Sequence, residues 1–165
     1  MSSLFVVTLY SFLFAAFVFG FNIHLCFLCF LCDINPCFPC NKMTDNEITY
    51  KIRGAVYDVY TALGPGLLES VYEEALAFEL EQRGLSVVRQ KQVPICYKGT
   101  VLKTELRLDI LVEDQVIVEL KSVEEMKNVY SKQLLTYLRL MNKKTGLLVN
   151  FNTDDILNSI KRIVN

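Results

Sequence analysis

Residues 107–121, RLDILVEDQVIVELK, restrict the fold more than any other stretch of the chain. Apolar residues recur with a period of two on either side of Glu113-Asp114, which reads as two short strands, Leu106–Val112 and Gln115–Lys121, joined by a tight turn. Alternation puts Leu106, Leu108, Ile110 and Val112 on one face of the first strand and Arg107, Asp109 and Leu111 on the other. In the second strand Val116, Val118 and Leu120 oppose Ile117, Glu119 and Lys121. Strands this rich in Val, Ile and Leu are normally covered on both faces. The Asp, Glu and Lys that emerge from them must then be paired or hold a metal, because an unpaired buried charge is very costly. Asp109 followed ten residues later by Glu119-x-Lys121 has the spacing two neighbouring strands need to converge on one cation. A surface hairpin with a solvated polar edge fits the same short pattern, so the segment alone leaves both readings open.

The rest of the chain narrows the chemistry by what it lacks. The single histidine is His24, so residues 43–165 can build neither a Ser/His/Asp nor a Cys/His set. Neither G-x-G-x-x-G nor a Walker pattern is present. Cys96, on a strand, reads as a small core residue. Any chemistry must come from carboxylates, Lys121 and a metal. With 17 basic and 18 acidic residues the net charge is -1, which argues against a non-specific nucleic-acid coat but leaves room for a local basic groove. Arg83, Arg89, Lys91, Lys98, Lys103 and Lys127 are the candidates for phosphate contacts.

Residues 1–42 differ in kind: Asp33 and Lys42 are their only acid and base, and nine of the 11 phenylalanines and five of the six cysteines fall there. Residues 4–31 are apolar enough to cross a bilayer, which takes about 20 residues, yet no Lys or Arg precedes the run as a signal peptide requires. The spacing Cys26-x2-Cys29-x2-Cys32-x4-Cys37-x2-Cys40 is compatible with zinc or an iron–sulfur cluster, but its Phe-Leu and Phe-Pro spacers lack the polar residues that shape such a site. Phe, Leu, Cys, Val and Ser are also what T-rich DNA encodes. The segment is expected to be an over-extended start outside the fold; the alternative is a membrane anchor through residues 4–31, the only ground for a membrane partner. The domain is expected to span 43–165 and to be cytoplasmic.

Within it, Thr44-Asp-Asn-Glu47 has the form of a capping box. A helix follows with Ile48, Ile52, Val56, Val59 and Leu63 at helical spacing, ending at Gly64-Pro65-Gly66. A second helix is predicted from about Leu68 to Arg83, then strands near Ser86–Gln90, Val93–Tyr97, Val101–Val112 and Gln115–Lys121. A third helix is predicted over Glu124–Met141, a strand over Thr145–Asn150 and a closing amphipathic helix over Asp154–Val164. This order implies an α/β sandwich with a mixed central β-sheet flanked by α-helices. Glu69 and Tyr72 share a helix face that continues through Leu76 and Leu80, whereas Glu73 and Glu74 read as a solvated face. Gln133 and Tyr137 share a face of the helix that follows the Glu-x-Lys strand.

Taken together, Gly66-x-x-Glu69-x-x-Tyr72, Tyr97-Lys98-Gly99, Arg107-x-Asp109, Glu119-x-Lys121, Gln133-x-x-x-Tyr137 and Asn150-Phe151 occur in a fixed order. From about Met43 to the C-terminus the chain resembles the GxxExxY family of the PD-(D/E)XK nuclease superfamily. It departs from that pattern at Ser131-Lys132, where a small residue is expected beside the Gln, and at Asn152, where a Gly is expected. The resemblance implies a restriction-endonuclease-like core and Mg²⁺- or Mn²⁺-dependent cleavage of phosphodiester bonds, with DNA as the expected partner and no small-molecule cofactor. It implies that Asp109, Glu119 and Glu69 are metal ligands, that Lys121 orients the attacking water, and that Gln133 and Tyr137 support the site. The alternative is a non-catalytic nucleic-acid- or partner-binding module on the same fold.

Overall fold

The computed structural model describes residues 42–165, so the readings of residues 1–41 as an anchor, an over-extended start or a cysteine metal site lie outside the described residues. Thr44 caps helix α1 (Asp45–Leu63) as its spacing predicts: the Glu47 N–H donates to the Thr44 hydroxyl at 3.3 Å and the Thr44 N–H donates to the Glu47 carboxylate at 2.7 Å. Helix α2 (Glu69–Gln82) follows the Gly64-Pro65-Gly66 turn, where Gly64 and Gly66 take φ of 70° and 95°.

Five strands then build one sheet in chain order: β1 (Val87–Tyr97), β2 (Thr100–Val112), β3 (Val116–Lys121), β4 (Thr145–Asn150) and β5 (Ile160–Val164). The β3–β4 pair is parallel and the others are antiparallel, so the sheet is mixed. A parallel neighbour requires a crossover, and helix α3 (Asn128–Leu140) supplies it. Helices α1 and α2 cover one face, packing Ile48, Ile52, Val56, Tyr72, Leu76 and Leu80 against Ile110, Val116, Val118 and Val149. Helix α3 covers the other, with Leu134, Tyr137 and Leu138 against Leu108, Leu111, Ile117 and Leu148. Gly146 permits that approach, since a Cβ there would lie 2.9 Å from the Leu134 side chain.

The β2–β3 turn falls at Glu113-Asp114 as predicted. Both residues take positive φ, 53° and 49°, and the Gln115 N–H closes on the Val112 carbonyl at 2.9 Å. The conformation is strained for residues with a Cβ, and side-chain bonds hold it. The Glu113 carboxylate accepts the Ser86 N–H at 2.6 Å, and Lys143 Nζ donates to the Asp114 carbonyl at 2.6 Å.

Several sequence expectations need correction. The two strands expected at Ser86–Gln90 and Val93–Tyr97 form the single strand β1, and the third helix begins at Asn128 rather than Glu124. The closing helix expected over Asp154–Val164 is one turn, α4 (Ile156–Ser159), followed by β5. Ile156, Ile160 and Ile163 fit a helical stripe, but β-branched Ile160, Ile163 and Val164 equally suit a strand, and the open edge of β4 takes them. Cys96 is exposed rather than part of the core. Most consequentially, Leu106, Leu108, Ile110 and Val112 do not share a face. Ile110 and Val112 lie in the α1/α2 core, whereas Leu108 lies with Leu111 in the α3 core, so the alternation of β2 reverses at Asp109.

Candidate active site

That reversal marks where β2 leaves β3. Their ladder consists of three pairs and ends at Ile110↔Val118. The next N–H of β3 facing β2, on Leu120, therefore has no strand carbonyl opposite it. The Asp109 side chain serves instead, its Oδ2 accepting the Leu120 N–H at 2.8 Å. Asp109 is thus fixed to the end of the strand that carries Glu119 and Lys121. Burial pushes its carboxyl up from the ordinary aspartate range; the Leu120 N–H and the Lys121 charge oppose this, and Glu73 and Glu69 add to it.

Glu119 is 2% exposed. Its Oε1 accepts Lys121 Nζ at 2.9 Å, while its Oε2 is buried with no hydrogen-bond partner. A carboxylate in that setting resists ionisation: burial first, then the Asp109 charge, raise its pKa to about 7 against the pull of Lys121. Burial lowers the Lys121 pKa, but its bond to Glu119 and the surrounding carboxylates outweigh this and leave it raised, so the ammonium stays charged. Lys121 Nζ also lies 5.7 Å from the centre of the Tyr130 ring, on the first turn of α3.

Glu69, the first residue of α2, is exposed, and its Oε1 accepts the Ser122 N–H at 3.1 Å just beyond β3. Ser122 Oγ donates to the Leu67 carbonyl at 2.7 Å, tying the end of β3 to the glycine turn. Tyr72 is buried and holds that turn from inside: its hydroxyl donates to the Gly64 carbonyl at 2.7 Å and accepts the Leu67 N–H at 3.0 Å. Its ring stacks on Phe151 with centroids 4.2 Å apart. Asn150, opposite Lys121 in the parallel ladder, clamps the loop after β3 by accepting the Val123 N–H at 3.0 Å and donating to the Val123 carbonyl at 2.9 Å. The Gly-x-x-Glu-x-x-Tyr and Asn-Phe elements thus brace the strand end that carries the charged residues.

The structure brings Asp109, Glu119 and Lys121 together, and Glu69 lies close enough to add to the carboxyl shifts of both acids. Gln133 and Tyr137 bond to each other, Nε2 to hydroxyl, at 2.7 Å. Among the described residues no group of three or more His, Cys, Asp or Glu side chains converges as a metal cluster. Each of the three carboxylates has one oxygen engaged by the protein. Of the proposed phosphate contacts, Arg83 is spent on Asp58 and Glu79, Arg89 on Glu73, and Lys91 on Asp114.

Glu73 is the main residue the sequence reading misplaced. It is not solvated but 6% exposed, accepting Arg89 Nε at 2.9 Å and Gln90 Nε2. A signal was present, since Glu73 stands four residues after Glu69 and next to Tyr72, on the inward side of the helix. Ser122 and Tyr130 carried no such signal, because their roles depend on where the chain turns after β3.

The description that matches this chain among protein families is the PD-(D/E)XK nuclease superfamily, over residues 46–163. No curated protein matches. Among solved structures, the crystal structure of SSO0001 is similar with a TM-score of 0.46 and 21% sequence identity, covering 73% of this chain; the chain spans 57% of the length of that structure.

Proposed function

The chain belongs to the PD-(D/E)XK nuclease superfamily, and on that premise we propose that it is a metal-dependent nuclease of the GxxExxY family, hydrolysing phosphodiester bonds in DNA. The observation that carries this reading is Glu119: a buried carboxylate with one oxygen on Lys121 and the other without a partner, placed beside Asp109. Buried polar atoms are otherwise almost always satisfied.

A divalent cation fits these residues. The donor set is oxygen only, as Mg²⁺ and Mn²⁺ prefer, and such ions are commonly held by one or two carboxylates with water completing the shell, so a third converged acid is not required. Glu119 and Asp109 would hold the ion, with Glu69 adding negative charge. When bound, the ion supplies Lewis-acid polarisation of the phosphate and a more acidic water. The protein's own residues do the rest. Lys121, kept charged and held between Glu119 and the Tyr130 ring, donates a hydrogen bond to the water and to the charge that builds on phosphorus oxygens. The Leu120 N–H fixes the Asp109 carboxylate in orientation. Gln133 and Tyr137, which bond to each other on α3, would support the site from that helix. Lys98, Lys103 and Lys127 would contact backbone phosphates, which positions a substrate without reading its sequence.

The second reading, a non-catalytic nucleic-acid- or partner-binding module, draws on the absence of a three-acid metal cluster among the described residues. Labelled DNA and RNA incubated with the full-length chain, with and without Mg²⁺ or Mn²⁺, separate the two. Metal-dependent cleavage of DNA that is lost in Asp109→Asn supports the nuclease. Binding that is unchanged by metal and never followed by cleavage supports the module.

A further inference from the structure

Besides Glu119, Glu73 is the only carboxylate residue buried among the described residues, and the proposed chemistry does not use it. It collects Arg89 Nε at 2.9 Å on one oxygen and Gln90 Nε2 on the other. Consecutive residues of a regular strand point to opposite faces, so one acid cannot ordinarily bind both. Gln90 makes it possible by taking φ 50°, a left-handed conformation uncommon for a residue with a Cβ. Gln90 lies between the pairs Arg89↔Ile110 and Lys91↔Leu108, the interval that holds Asp109 on the facing strand. Three irregularities therefore coincide: the left-handed residue in β1, the reversal of faces in β2, and the end of the β2–β3 ladder.

We infer that Glu73 is a positioning residue for Asp109. By gripping Arg89 and Gln90 together it holds Gln90 left-handed, and the resulting kink in the β1–β2 ribbon aims the Asp109 carboxylate at the Leu120 N–H and at Glu119. Strained backbone persists where surrounding contacts over-determine it, and the two bonds to a buried acid do so here. The role in cleavage rests on the nuclease reading above; the geometric role does not.

The test reads geometry and activity separately. In the full-length metal-free chain, Glu73→Ala should speed hydrogen exchange of the Leu120 amide about tenfold or more relative to the Leu111 and Val149 amides, because the Asp109 side chain is its hydrogen-bond partner. Metal-dependent cleavage should fall by about tenfold or more in kcat with KM little changed. Adding Gln90→Gly should restore both, since glycine adopts the left-handed conformation without a clamp. If Glu73 merely neutralises Arg89, rescue comes from Arg89→Met and not from Gln90→Gly, and the inference fails. Gln90→Val covers the case in which Glu73→Ala does not fold. It leaves the Glu73–Arg89 pair in place but disfavours positive φ, and should reproduce the selective loss of Leu120 protection. An unaltered Leu120 amide in Gln90→Val overturns the inference. Should the parent cut no nucleic acid, the nuclease reading falls while the exchange measurements still decide the role of Glu73.

Discussion

Glu73 and Glu119 are both almost fully buried carboxylates, and they are finished in opposite ways. Glu73 has a donor on each oxygen, from neighbouring residues of one strand. Glu119 has a donor on one oxygen only and sits against the charge of Asp109. The first arrangement offsets the cost of burial within the protein and shapes the backbone. The second leaves part of that cost standing, which a fold tolerates where a ligand or a reaction uses it. Burial alone does not mark a site; the completeness of an acid's hydrogen bonding separates the two.

The contrast can be broken or sharpened experimentally. The largest effect should follow Lys121→Ala, which leaves the carboxylates in place but removes the proposed donor to the reacting groups. Cleavage should drop on the order of 10²–10³-fold while calorimetry still detects Mg²⁺ binding; a variant that cuts normally would remove Lys121 from the mechanism. Next is the pH dependence of the metal-free fold. With the Glu119 pKa raised from 4.5 to about 7, the folded state binds a proton the unfolded state has released. Stability should therefore fall as pH rises from about 4.5 to about 7, by up to about 3 kcal/mol. Glu119→Gln should flatten that slope in denaturant titrations, and an equally steep slope in the variant would assign it elsewhere. Glu73→Ala should cost about 2–3 kcal/mol at neutral pH, below the usual loss for a fully buried pair because the Arg89 side chain is 41% exposed. Glu119→Gln should leave the metal-free protein as stable as the parent or more so, and equal losses in the two would erase the comparison. The smallest effect belongs to Asp109→Asn. Its amide oxygen can still accept the Leu120 N–H, so metal-free stability should change by less than about 1 kcal/mol while Mg²⁺ affinity drops.

Much of this was readable in the sequence, and the limits are physical. The capping box at Thr44, the glycine-proline turn, the Glu113-Asp114 reversal and the Glu-x-Lys strand each have a local cause, and each is where it was expected. The closing element was not readable, because Ile156, Ile160 and Ile163 satisfy both periodicities and only the free edge of β4 decides between them. Nor was the reversal at Asp109. Period-two alternation assumes a regular strand, and the break comes from Gln90 on the neighbouring strand and Glu73 on a helix. Asp109, Glu119 and Lys121 were legible as charges among apolar residues. Glu73 was legible only through its place four residues after Glu69 and next to Tyr72, against the rule that an acid on a helix is usually solvated.

The reversal at Glu113-Asp114 also bears on how the molecule assembles. It joins Asp109 to Glu119 through nine intervening residues, whereas the parallel strand β4 must wait for the α3 crossover. Short loops close first and non-local pairings last. The turn therefore closes early, in a hairpin that still lacks its helices and is open to water, while Asp109 lies beyond the three-pair ladder and reaches Glu119 only once the Glu73 helix has packed. The mutual repulsion of the two acids is therefore met late, when the helix packs, and not when the turn closes.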